Sequence, residues 1–228
     1  MPLCVIQSFV KTGLNSLPGW GERLLGEARL ALVGTPWSFL FHQDEKPPAL
    51  TPTFSDESGN RRAIDPLLLA WLQGSPPPIT SSLNSTDLKL WSSLIRRQHG
   101  AMLQAISPSG SPLTPEFNQL AIEVATETEL ASLHALSHAG DVARARVEAA
   151  SDWIVHNIQP DNATNHPWAV HVFLQRAFEA GSVEHRLYAE TLLHNCVVSL
   201  GRADRFSALI LLDSGRTLKS IDTASAAK

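Results

Sequence analysis

"GDVARARVEAASDWIVHNIQPDNATNHPWAVHVFLQRAFEAG", Gly140 to Gly181, is the stretch on which the fold turns. Its two ends carry amphipathic helical patterning, and the question is what the polar middle does to the chain between them. Pro160 stops the first helix, because the ring excludes helical geometry for Gln159 before it and removes a backbone donor. Pro160-Asp161-Asn162 supplies turn residues; Thr164, Asn165 or His166 caps the next helix, and Pro167 suits its first turn. The segment therefore reads as two antiparallel helices joined by a short connection, an αα-hairpin.

Working outward, the same opening recurs. Gly140, Gly181 and Gly201 each precede a polar residue and then a helix expected to run about 17 to 19 residues, and Gly140 to Gly181 is 41 residues, near the length of one hairpin unit in a helical array. Upstream, "TPEFNQLAIEVATETELASLHALSHAG" predicts a helix opening at Thr114 and Pro115 and burying Phe117, Leu120, Ala121 and Val124. A capping box at Thr126 to Glu129 could split it in two.

The first half of the chain differs. Twelve of the 15 prolines and nine of the 13 glycines precede residue 113, and "ISPSGSPLTP" marks a seam near residue 112. Residues 46–62 and 74–85 are rich in Pro and Ser and read as connectors. Around them the expected helices are "GERLLGEARLALVG", closed by Gly34; "IDPLLLAWLQG", with Asp65 as N-cap, Pro66 at the first position and Gly74 past the end; and "STDLKLWSSLIRRQHG". The first fifteen residues fit helix or strand. The expectation is an all-α protein: an irregular, Pro/Gly-rich helical region over 1–112, then an antiparallel αα-hairpin array over 113–228.

Charge narrows the function classes. The net charge is −4, with no basic cluster beyond Arg61-Arg62 and Arg96-Arg97, which disfavours nucleic acid and anionic membranes as partners. Cys4 and Cys196 are the only cysteines, too few for a disulfide framework or a cysteine-only zinc site. With no basic leader and no long apolar run, a cytoplasmic protein is expected. Cys196 lies two residues after His194 and points away from it, so a buried structural thiol is expected there.

"HALSHAGDVARARVEAA" resembles the hinge of a tetratricopeptide-type repeat, with Ala143, Ala145 and Ala149/Ala150 at packing positions. That likeness covers roughly Pro115 to Ser220 and implies a protein-binding array. "WIVHNIQPDNATNHPW" is also similar to hairpin turns of α/α-toroid proteins, where Asp and aromatic residues surround a central cavity; no DxDD run accompanies it.

Seven of the nine histidines lie between residues 134 and 194. His134 and His138, one helical turn apart, could hold a divalent metal with Asp141 as third ligand, and Glu190 and His194 share that spacing. The competing explanation is the preference of histidine for helix C-termini, and the expected cofactor is none. Asp161, Asn162, His166 and Trp168 form the candidate ligand-binding set: they are more capping groups than one turn needs, and an exposed cluster at a helix start suits an anion or sugar hydroxyls. No nucleophile elbow, phosphate loop or dinucleotide fingerprint occurs, so whether the chain is an enzyme stays open. The leading expectation is a protein-interaction or scaffold module with a protein partner, its oligomeric state undetermined. The alternative is a hydrolase or lyase with its site at the Asp161 to Trp168 turn, with or without a metal.

Overall fold

Ser16 opens the first helix by accepting the Gly19 amide on its side chain (3.2 Å), and the helix α1, Leu17–Leu32, closes before Gly34, whose φ of +75° is the left-handed geometry expected of it. The computed structural model describes residues 16–41, 64–76, 83–159 and 164–226. Over these residues the chain is all-α: α2 is Asp65–Gln73, α3 Thr86–Ile95, α4 His99–Ala105, α5 Ile122–Ser137, α6 Arg144–Asn157, α7 Val170–Ala180, α8 Val183–Val198 and α9 Arg205–Ala226, and no strand occurs. Short 3₁₀ turns occupy Ser38–Phe41, Phe117–Gln119 and Gly140–Val142. The first fifteen residues and most of the two Pro/Ser-rich connectors lie outside the described residues.

Several boundaries move by identifiable causes. Ile64, not Asp65, is the N-cap of α2, while Gly74 adopts the left-handed cap (φ +61°). Thr114 and Pro115 do not start the long helix; a 3₁₀ turn intervenes and α5 begins at Ile122, leaving Ala121 exposed and Val124 52% exposed, contrary to expectation. Thr126 to Glu129 is not a capping box either. Both residues are buried inside α5, and the Glu129 carboxylate reaches back to accept the amides of Leu113 (2.6 Å) and Thr114 (2.9 Å). The helices after the three glycines run 14, 16 and 22 residues rather than a uniform length. Asp204 caps α9, accepting the Phe206 and Ser207 amides at 2.8 and 2.9 Å.

Burial pushes the Glu129 carboxyl above its ordinary 4.5, against the two amides that hold it down. Because the folded group binds its proton more tightly than the unfolded one, ionisation opposes folding. Its contribution is fully present below the ordinary value and is lost as pH rises through the folded value. Glu129→Gln removes this titration and leaves one of the two amides facing an amide nitrogen. It is expected to cost about 1–3 kcal/mol at neutral pH and to take this term out of the pH profile. Thermal melts of both proteins from acid to neutral pH read the two effects.

α9 organises the packing. It lies along α1 over a long contact and also meets α2 and α7, while α5 packs on α3, α6 and α7, and α8 on α7 and α6. One buried cluster includes Trp20, Leu67, Trp91, Leu130, Trp168, Leu193 and Leu209, so residues from both sides of residue 112 share it. The α1–α9 approach depends on Gly21 and Gly215: a Cβ at Gly215 would lie 3.0 Å from the Gly21 carbonyl, and one at Gly21 would lie 3.1 Å from the Gly215 carbonyl.

Candidate functional site

The interior where α5, α7 and α9 meet holds an unusual polar group: His134 from α5 and His138 at its C-cap, His171 from α7, and Asp213 and Ser214 from α9. Helical spacing puts His134 and His138 one turn apart on the same face, as expected from the sequence. Their common partner is not Asp141, which is exposed and lines a surface cleft with Arg144 and Glu148, but Asp213. Asp213 Oδ2 stands 2.9 Å from His134 Nε2 and 2.7 Å from His138 Nε2, and Oδ1 accepts the Trp71 indole N–H at 2.8 Å.

The ring protons of His134 and His171 can be placed from their neighbours. The Ala169 amide donates to His134 Nδ1 (3.1 Å), so the ring carries its proton on Nε2 and donates to Asp213. Ser137 donates its hydroxyl to the His134 carbonyl (2.7 Å) and therefore accepts from His171 Nε2 (2.8 Å). His171 Nδ1 is then left to accept from Ser214 Oγ at 3.1 Å. His134 and His171 are both neutral in this arrangement. Burial holds His134 below its ordinary 6.5 despite the pull of Asp213, and burial with the neighbouring His134 and His138 holds His171 well below it. For Asp213 burial would raise the carboxyl, but the adjacent imidazoles outweigh it and hold the group well below its ordinary value, a carboxylate at neutral pH.

Aromatic rings wall the group in. Trp91 lies 5.5 Å from His134 and 5.9 Å from Trp168, and Trp71 lies 4.9 Å from His138, centroid to centroid. His134 is fully buried, and the His138 side chain keeps 10% of its surface in contact with solvent. One ring nitrogen from each of His134, His138 and His171 falls within 4.8 Å of the others, so these three residues are the set among the described residues able to share a metal ion.

The polar turn from the sequence builds a second group beside the first. Asp161 and Asn162 lie outside the described residues. His166 and Trp168 come together on Glu127 of α5: Glu127 Oε1 accepts from His166 Nδ1 (2.9 Å) and from the Trp168 indole (2.7 Å), and Thr164 donates to the same carboxylate. Burial would raise the Glu127 carboxyl, but His166, Thr164 and Trp168 together bring it below its ordinary value. Trp168 is fully buried rather than displayed, and its ring meets His134 edge-on at 5.4 Å, which joins the two groups. Trp153 packs against the core and meets Phe117 edge-on at 5.4 Å.

This pinning moves the start of α7. Thr164, Asn165 and His166 do not cap it; the helix begins at Val170 behind Ala169, a non-glycine residue in the left-handed region (φ +56°) whose amide is the one aimed at His134. Glu190 pairs with Arg186 (3.0 Å) as an exposed ion pair and not with His194. Cys196 is buried, and burial pushes its thiol up to about 12, consistent with an inert packing role.

His171 and Asp213 were missed as members of the centre. Asp213 had a legible signal: a lone carboxylate following the apolar run "ALILL" inside a helix. His171 had only its place among the clustered histidines, because its distance in sequence from His134 and Asp213 hides their contact. Among the described residues no helix is long and apolar enough to cross a membrane. Comparison of the chain with protein-family models, with curated proteins and with solved structures found no match.

Proposed function

We propose that this chain is a protein-interaction module of helical-repeat type, whose antiparallel hairpins present α8 to a partner segment. The observation that carries this reading is that α8 holds large apolar residues on its outer face as well as on its inner one. Its inner face buries Tyr188, Ala189, Leu192, Leu193 and Cys196, as any surface helix must. Its outer face carries Val183 (63% exposed), Leu187 (57%) and Val198 (59%), which helical spacing places within one angular sector. Leu200 extends the same end with 53% of its surface exposed. Val183 and Leu187 at one end and Val198 and Leu200 at the other, with His194 and the Arg186–Glu190 ion pair between them, suit a partner helix that places aliphatic side chains at both ends of the contact and polar ones in the middle. The buried histidine group supports the same reading, because its hydrogen bonds are spent on holding helices together.

Leu187→Glu tests it. The substitution sits on an exposed helical position and is expected to change stability by no more than about 0.5 kcal/mol. It is expected to weaken partner binding at least tenfold, since a buried leucine contributes about 1.5–3 kcal/mol. A photo-crosslinking residue at position 183 should give one discrete adduct in cells that Leu187→Glu abolishes. Unchanged crosslinking in that variant, or none in the native chain, overturns the reading; an adduct with a second copy identifies the partner as the chain itself.

A hydrolase or lyase is the second reading, favoured by one specific feature. Asp87 and Glu127 line a common cleft with Ser85 and Leu88, beside the His166 and Trp168 turn. Their carboxyls are driven apart: burial raises Asp87, with Glu127 adding to the effect, while Glu127 itself is lowered. Two carboxyls separated in this way suit an acid and a base. Turnover of a small molecule that is lost in Asp87→Asn, with the fold intact by circular dichroism, would support it; full turnover in that variant would exclude it.

A further inference from the structure

We propose that His134, His138, His171 and Asp213 form a closed, four-ligand site for a divalent cation of the zinc class, loaded by a flip of the Trp168–Ala169 peptide. The inference is independent of the partner assigned to α8.

The donor set fits a borderline cation. Three imidazoles and one carboxylate, drawn from three helices, match the nitrogen and oxygen ligands that zinc-class ions take in four-coordinate sites. Asp213 Oδ2 already lies 2.9 and 2.7 Å from the two α5 imidazoles, so a cation between those rings meets the carboxylate as well. The second shell is present too: the Trp71 indole holds Asp213 Oδ1, and of the two serines on His171 one keeps its ring nitrogen while the other gives its nitrogen up to the cation. With four protein ligands and almost no solvent contact, the site is of the closed kind that pins helices, here α5, α7 and α9.

Proton positions dictate the flip. An imidazole that binds a cation through Nε2 keeps its remaining proton on Nδ1. For His138 that proton can face the solvent edge. For His134 it would point at the Ala169 amide, which donates to the same Nδ1 at 3.1 Å, and two donors cannot face each other. Rotating the Trp168–Ala169 peptide replaces that N–H with the Trp168 carbonyl, giving the Nδ1–H to carbonyl bond that orients metal-bound histidines. The same rotation takes Ala169 out of the left-handed region that it occupies at φ +56°. It leaves the Ala169 carbonyl, which accepts from Val172 and Phe173, in place to start α7. The strained backbone and the ligand cluster thus meet at one peptide.

The test uses the full chain, stripped with a chelator and titrated with cobalt(II) chloride and then zinc chloride. The expected result is one cobalt per chain, with the visible absorption of a four-coordinate ion, displaced by zinc. Tryptophan emission should change in step, since Trp71 and Trp91 flank the rings. His138→Gln, at the partly exposed edge, is expected to weaken binding by about 100-fold or more, its helicity checked by circular dichroism. Ala169→Gly supplies no ligand and removes the strain that favours the flip, so it should weaken binding by about 5- to 30-fold. Absence of saturable one-to-one binding, or binding unchanged in His138→Gln, overturns the site. Affinity unchanged in Ala169→Gly overturns the flip.

Discussion

Asp213→Ala is expected to remove about 3–5 kcal/mol of stability, a large part of what a domain of this kind possesses. The carboxylate is the acceptor for three ring N–H groups, those of Trp71, His134 and His138. Removing it leaves each donor without a partner in a site that water hardly reaches, at roughly 1–3 kcal/mol apiece, offset in part because a charge no longer has to be desolvated. Asp213→Asn keeps one carbonyl acceptor and should fall between the two. Urea unfolding followed by tryptophan emission separates the three proteins. If Asp213→Ala matches the native chain, the histidine group contributes nothing to the fold, and the account of it as a helix-pinning network is wrong.

The second large effect is a pair of opposite sign. In Gly215→Ala the new methyl would sit 2.8 Å from Leu25 Cγ and 3.0 Å from the Gly21 carbonyl, and main chain cannot move aside as a side chain can. The gain in helix propensity, about 1 kcal/mol, is outweighed by forcing α1 and α9 apart, and the net expectation is a loss of about 1–3 kcal/mol. Gly26→Ala, in the same α1 but with nothing within 4 Å of the added carbon, should instead stabilise by about 0.5–1 kcal/mol. Thermal melts of the two variants decide it: equal shifts would mean that the α1–α9 approach is looser than described.

Local chemistry was legible where local chemistry decides. Gly34 and Gly74 end helices because only their backbones enter the left-handed region without cost, and Pro66 sits in the first turn of α2 because the missing amide is unpaired there anyway. The failures fall where a distant residue outbids the local pattern. Glu129 reads as a capping-box partner, yet its carboxylate goes to the amides of Leu113 and Thr114. His166 reads as a cap, yet it turns to Glu127, and α7 starts later in consequence.

The candidate site divides in the same way. The pairing of His134 with His138 follows from helical spacing alone, whereas Asp141, near them in sequence, stays on the surface and Asp213 takes its place. The sequence by itself determined that the described residues are helical, where helices such as α1 and α2 end, and that His134 and His138 share a face. These depend on backbone sterics and a period of 3.6, which act over a few residues. Only the tertiary structure decided that α1 lies along α9, that Trp168 is buried beside His134, and that His171 and Asp213 complete the centre. Those contacts join residues tens to nearly two hundred positions apart, and it is the burial of apolar surface across the whole chain, not any local preference, that selects them.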